Sequence, residues 1–124
     1  MNNTPKDDSD SVKEFRKKLV KLPLELVISN FGEDFYALRS IVNKYDPVGL
    51  LDDGYPGDEY DPEVKTIIVQ LIKHMSVDQV YDLVINEFRC WFYEGVTDGC
   101  EDKYRQLSVD IHEWMKTVKT IHGS

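Results

Sequence analysis

Apolar residues recur every three or four positions along most of this chain, and this spacing restricts it to helices. The clearest example, residues 33–45, has apolar side chains at Phe35, Leu38, Ile41, Val42 and Tyr45. Such a stripe lines one face of an α-helix and does not fit the two-residue period of a strand. We therefore predict an all-α fold: a compact bundle of four to five helices, with an ordered acidic loop between the second and third.

Prolines and capping signals divide the first half of the chain. Ser11 and Glu14 have capping-box spacing, which predicts a first helix over residues 11–21, ending before Pro23. Residues 24–32 fit either a helix or a strand, and helix or irregular structure is favoured because no other good strand is present. The helix over 33–45 is expected to end at Asp46, before Pro47.

Three further helices are predicted in the second half. Asp61 and Pro62 are expected at the N-cap and first position of a helix. Its core face would comprise Val64, Ile67, Ile68, Leu71, Ile72 and Met75. Ser76 and Gln79 repeat the capping-box pattern and predict a helix that extends to about residue 93. The last helix is predicted from about residue 101 to 121, after a turn over residues 94–99.

The length of 124 residues fits one domain. We predict a disordered polar tail over residues 1–10 and a single helical domain over residues 11–124. The N-terminus lacks the apolar region of a secretory signal and no apolar run is long enough for a membrane span, so a cytoplasmic protein without a membrane partner is expected. Cys90 and Cys100 are expected to be reduced, with Cys90 buried among aromatic residues.

Enzymatic signatures are not recognised in the sequence. There is no GxGxxG, GxxxxGK[ST], HExxH or GxSxG pattern. The histidines are scattered at His74, His112 and His122, without neighbours at the spacing of metal ligands. We predict no catalytic residues, no metal, no cofactor and no enzymatic activity.

Negative charge is concentrated in one segment. The net charge is −8, and residues 46–63, here called the acidic segment, carry seven carboxylates and no basic residue. This balance disfavours nucleic acid as a partner, because binding to phosphates depends on clustered Lys and Arg. The main basic cluster is residues 12–21, with five cations, and is interpreted first as a solvated helix face.

The acidic segment allows three interpretations. Its carboxylates could bind a hard cation such as calcium, although their spacing is not that of an EF-hand; the candidate ligands are Asp52, Asp53, Asp58, Glu59 and Asp61. Several of the acids could instead cap turns and helix starts. The remainder, interleaved with Tyr55 and Tyr60, could form a recognition surface for a basic partner.

The same segment carries a family resemblance. Residues 41–51 read IVNKYDPVGLL, and residues 56–63 read PGDEYDPE. This pattern resembles the YugE-like family of small bacterial proteins of unknown function, which typically read IVNxWDPIGLL and APxDEYDxE, and the match covers about residues 35–72. The resemblance implies a small, mostly helical bacterial protein and supplies no established activity. Tyr45, where tryptophan is common in the family, and Tyr55 and Gly57 in the spacer depart from the family pattern.

We predict an interaction protein of the immunity or antitoxin kind, whose acidic loop binds a protein with a basic surface. The predicted partner-binding residues are Asp52, Asp53, Tyr55, Asp58 and Glu59. Leu50 and Leu51 are expected to anchor this loop to the core. Two alternatives stay open: a divalent-cation site or metal-dependent enzyme on the same carboxylates, and a connecting loop in a protein that works through its basic first helix or as a homo-oligomer.

Overall fold

The computed structural model describes residues 8–51 and 57–121, and within these ranges the chain forms helices and no strand. The α-helices are α1 (Asp8–Lys21), α2 (Leu24–Phe31), α3 (Glu33–Tyr45), α4 (Asp61–Ile68), α5 (Val77–Trp91) and α6 (Glu101–Met115). A 3₁₀ turn, Glu94–Thr97, separates the last two. The prediction of an all-α fold is confirmed. The described residues contain six α-helices, and the acidic segment connects α3 to α4.

Capping explains two boundaries that were predicted correctly. At the start of α5, the Ser76 hydroxyl accepts a hydrogen bond from the Gln79 N–H at 3.1 Å, and the Gln79 side chain accepts one from the Ser76 N–H at 2.8 Å. At the end of α3, Asp46 adopts a left-handed conformation with φ of 43°. This conformation ends the helix and is one that Asp tolerates better than most residues.

Other boundaries differ from the prediction. The α1 helix begins at Asp8, so Ser11 lies inside it and is not its N-cap. The α4 helix ends at Ile68 and does not continue to residue 75. Gln70 donates its N–H to the Ile67 carbonyl in a tight turn, and Ile72 is exposed. The α6 helix ends at Met115, well before residue 121.

The core is built around α4. Val64, Ile67 and Ile68 of this helix are buried. They belong to one cluster with buried residues of the neighbouring helices, including Phe35, Leu38 and Val42 of α3, Val84 and Phe88 of α5, and Tyr104, Leu107 and Ile111 of α6. The polar residues of α4 are buried as well: Asp61, Glu63, Lys65 and Thr66. Because buried polar groups need partners, the contacts of α4 organise the polar chemistry of the protein.

Cys90 is exposed, and the prediction that it is buried is wrong. Val80, Val84 and Phe88 define the buried face of α5. Cys90 follows Phe88 by two residues, a rotation of roughly 200° around the helix, which directs its side chain to the opposite face. Within the described ranges, no helix has the length and apolar character required to cross a bilayer.

Candidate interaction surface

A buried tyrosine ties the two ends of the acidic segment together. Tyr60 is fully buried, and its hydroxyl donates a 2.6 Å hydrogen bond to Oδ1 of Asp46. The same hydroxyl accepts a 2.9 Å hydrogen bond from the Val48 N–H. Burial, followed by the hydrogen bond to Asp46, raises the pKa of Tyr60, so the phenol is a neutral donor at physiological pH. The loop is therefore closed at its base by side chains that are 14 residues apart.

The first limb of the loop, residues 46–51, is organised by the Asp46 carboxylate. Its Oδ1 also accepts hydrogen bonds from the N–H groups of Leu50 at 2.8 Å and Leu51 at 3.3 Å. Leu51 is half-buried and packs against the core, as predicted. Leu50 is 37% exposed, so the prediction that it anchors the loop is wrong. Its backbone N–H is held inward by Asp46, and its side chain is left at the surface.

The second limb of the loop, residues 57–61, is held by an ion pair with α3. Arg39 donates to Asp61 through Nε at 2.9 Å and through Nη2 at 2.6 Å, in a bidentate arrangement. The hydrogen bond to Asp61 raises the pKa of Arg39 above its usual value. Asp61 is the first residue of α4 and makes no capping bond, while Tyr60 occupies the N-cap position. The predicted N-cap role of Asp61 is therefore wrong, because its carboxylate is directed to Arg39.

A second α3 residue fixes the same limb. Asn43 donates its side-chain amide to the Gly57 carbonyl at 2.8 Å. Gly57 has φ of 82°, and a Cβ atom placed there would lie 3.1 Å from Nδ2 of Asn43. Glycine is therefore favoured at this position by its backbone conformation and by the close approach of Asn43. Since Arg39 and Asn43 are four residues apart, both reach the loop from one face of α3.

An exposed tyrosine lies beside this limb. Tyr36 is 45% exposed, and the Arg39 guanidinium carbon lies 4.8 Å from the centroid of its ring. Asp58 is exposed, and its charge contributes to the raised pKa of Arg39. These three residues form what we call the Tyr36 patch: an aromatic ring, a guanidinium and a carboxylate held in place by α3 and the second limb. Tyr and Arg are enriched among the residues that contribute most to protein–protein binding.

The predicted partner-binding residues fall into two groups. Asp58 is exposed and Glu59 is half-buried. One oxygen of Glu59, Oε1, is buried and has no hydrogen-bond partner among the described residues. Asp52, Asp53 and Tyr55 lie in residues 52–56, outside the described ranges. Sequence reasoning missed Tyr36 and Arg39, although their i, i+3 spacing on the polar side of α3 was a signal that could have indicated them.

Three of the seven carboxylates in the acidic segment are bonded to other residues or buried in the core. Asp46 closes the loop, Asp61 pairs with Arg39, and Glu63 is buried in α4. Asp61 was one of the candidate cation ligands, and its charge is already balanced by the guanidinium. Among residues 8–51 and 57–121, no three or more His, Cys, Asp or Glu side chains form a group that could hold a metal ion.

Comparison with known proteins adds no relative to this description: no protein-family model, curated protein or solved structure matches the chain.

Proposed function

We propose that this chain is a non-enzymatic interaction protein that binds a basic protein through the acidic segment and the adjoining Tyr36 patch. One observation supports this proposal above the others: Asp58 is exposed and lies between Gly57 and Asp61, which are both bonded to α3. Because the backbone on both sides of Asp58 is held, this limb loses little conformational freedom when a partner binds, which favours affinity.

The electrostatics favour a cationic partner. Asp46, Asp61 and Glu63 are used internally, so Asp52, Asp53, Asp58 and Glu59 supply the carboxylates proposed for recognition. Charge complementarity of this kind accelerates and orients association, and it makes the complex sensitive to salt. Tyr36 supplies an amphipathic anchor next to these charges.

The proposed biological role is that of an immunity protein or antitoxin in a bacterium. Bacterial immunity proteins are often small, acidic and helical, and this chain is proposed by analogy to cover a basic functional surface of its target in the same way. Membership of the YugE-like family is proposed together with it, on the residues of the acidic segment.

The proposal is tested by capturing proteins from an extract of the source cell on the immobilised chain. The test variant replaces Asp52, Asp53 and Asp58 with Asn. A matched control replaces the exposed acids Glu25, Asp82 and Glu94 with Gln, Asn and Gln, which changes the net charge by the same amount. We expect a basic protein that is captured by the wild-type and control chains and lost from the test variant. Equal capture by all three chains would contradict the proposal.

A further inference from the structure

Three carboxylates are buried on α4 and α5. Asp61, Glu63 and Glu87 are each at most 4% exposed. Two of them have a counter-charge, because Asp61 is paired with Arg39 of α3 and Glu87 is paired with Arg16 of α1. Glu63 makes no ion pair among the described residues, and its Oε1 is buried without a hydrogen-bond partner there. Such a carboxyl group is favoured as the neutral acid, because a buried charge without a cation is costly.

The side chains next to Glu63 along α4 are directed elsewhere. Thr66 follows Glu63 by three residues, which places both on one side of the helix, and its hydroxyl donates a 2.6 Å hydrogen bond to Glu87. Lys65 is only two residues from Glu63 and therefore lies on another side of the helix. Its Nζ donates to two backbone carbonyls between α1 and α2, at 2.8 and 3.0 Å. Glu63 thus lies beside the Glu87 site and away from the lysine.

The helices packed against α4 contribute the charges around this site. The charged groups are Arg16 of α1, Arg39 of α3 and Glu87 of α5, together with Asp61 and Lys65 of α4 itself. The α2 helix also packs against α4, and its single charged residue, Glu25, is exposed. Burial raises the pKa of Glu63 to about 7; its own N–H opposes this shift, and the charges of Asp61 and Glu87 add to it. Each arginine of this group is already paired with another acid, so neither is free to balance an ionised Glu63.

The α1 helix is attached to this site with little apolar burial. Among residues 11–21 only Leu19 is buried, while Val12 and Phe15 are more than half exposed. Its main polar contact is Arg16, whose Nη1 donates to both oxygens of Glu87 at 2.6 and 2.5 Å. Segments with few buried apolar contacts open locally at a lower free energy than the core. Opening of α1 is therefore a low-cost way to bring water to the buried carboxyl groups.

We propose that α1 is a pH-sensitive strap, which stays docked while Glu63 carries its proton and opens when Glu63 ionises and takes up water. The docked state binds this proton more tightly than an open, hydrated state does. Docking is therefore strongest below the usual carboxyl pKa of 4.5 and weakens as the pH rises to about 7. Glu87 keeps Thr66 and Gln70 as donors when Arg16 leaves, so its side chain stays in place. The inference does not depend on the proposed function of the acidic segment.

Amide hydrogen exchange of the full chain between pH 5 and pH 8 tests this inference, with each rate divided by the intrinsic rate at that pH. We expect residues 11–21 to be less protected than α5 throughout, because α1 opens without global unfolding. Their protection should fall at least about tenfold from pH 5 to pH 8, the effect of one unit of difference in pKa. Glu63→Gln, which mimics the protonated acid, should abolish this fall. Glu59→Gln, a half-buried acid of the same segment, is the matched control and should retain it.

Three results would overturn the inference, and two of them need only the wild-type chain. Equal protection of α1 and α5 at every pH would show that α1 opens only when the whole protein unfolds. Protection of α1 that is lower than that of α5 but constant from pH 5 to pH 8 would show that its opening is not linked to a proton. An undiminished pH dependence in Glu63→Gln would assign the proton to another group.

Discussion

The hydroxyl of Tyr60 donates to the Asp46 carboxylate at 2.6 Å, and this hydrogen bond joins the residue that ends α3 to the residue that precedes α4. Asp46 caps a turn by accepting the N–H groups of Leu50 and Leu51, in agreement with the interpretation that some acids of the segment cap turns. Its bond with Tyr60 adds a tertiary role. The acidic segment, which carries seven of the 23 acidic residues, is consequently closed by a buried polar contact in addition to the packing of Leu51.

Replacing Tyr60 with Phe tests this closure. The substitution removes the donor to Asp46 and the acceptor for the Val48 N–H, and it keeps the buried ring. We expect the free energy of unfolding to fall by about 1–3 kcal/mol, the usual consequence of leaving buried polar groups unpaired. Urea denaturation provides the measurement. Tyr93→Phe, at an exposed ring, serves as control, and an equal loss in both variants would remove the closing role of Tyr60.

The Arg39–Asp61 pair supports a second prediction. Both side chains are largely buried, so removing one partner leaves the other charge inside the protein. Arg39→Met is expected to lower the free energy of unfolding by about 3 kcal/mol, while Asp61→Asn in the same chain should recover part of that loss. The exposed pair Glu14 and Lys17 is the comparison. Loss of either partner there should change the free energy of unfolding by less than about 1 kcal/mol. A double-mutant cycle that shows no coupling energy between Arg39 and Asp61 would contradict the assigned contact.

The helices that were predicted well have strong local signals. The α3 helix combines a continuous apolar stripe with a residue before proline at its end, and α5 has a capping box whose two hydrogen bonds form as expected. These features involve residues within a few positions of each other, so a sequence pattern captures them. The start of α1 was missed because Ser11 and Glu14 have capping spacing without being at a helix terminus.

The polar chemistry of α4 could not be predicted from local patterns. Asp61 pairs with a residue 22 positions away, and Lys65 bonds to carbonyls 43 and 45 positions away. Only the folded chain brings these partners together, and charged residues are usually assigned to the surface. The end of α4 was also missed, because Leu71 and Ile72 continue the apolar spacing through a turn. The i, i+3 spacing of Tyr36 and Arg39 could indicate that these two residues lie together, but the position of Arg39 beside the acidic segment depends on Asp61, 22 residues away.

Glu63 predicts a dependence of stability on pH. Burial raises the pKa of Glu63 to about 7; its own N–H opposes this shift, and the charges of Asp61 and Glu87 add to it. Two of these neighbouring acids are paired with cations, Glu87 with Arg16 and Asp61 with Arg39, while Lys65 donates to the carbonyls of Val20 and Leu22. A raised carboxyl pKa means that the folded state binds the proton more tightly than the unfolded state. This contribution is complete below the usual carboxyl pKa of 4.5 and is lost as the pH rises to 7.

Glu63→Gln should therefore remove most of this dependence. We expect the variant to gain about 2–3 kcal/mol in free energy of unfolding relative to the wild type at pH 8, and much less at pH 5. Urea titrations at several pH values measure the difference. Glu59→Gln, a half-buried acid of the same segment, is the matched control. A constant difference between Glu63→Gln and wild type from pH 5 to pH 8 would contradict the assigned environment of Glu63.

The divalent-cation alternative makes a different prediction. A cation that binds only the folded state raises the melting temperature as its concentration increases. Because Asp61 is paired with Arg39, we expect no change in melting temperature with millimolar calcium or magnesium beyond that seen with sodium chloride of equal ionic strength. A specific rise that Asp52→Asn or Asp53→Asn abolishes would instead favour a metal site in the acidic segment.

The central claim is that carboxylates of the acidic segment bind a cationic protein, and the affinity of the captured partner as a function of salt tests it most directly. The measurement compares wild type, the Asp52, Asp53 and Asp58 to Asn variant, and the control variant at Glu25, Asp82 and Glu94. We predict that affinity falls steeply with salt for wild type and control, and that the test variant binds at least about tenfold more weakly at low salt with a shallower salt dependence. Equal affinities and equal salt dependence for the three chains would contradict the account.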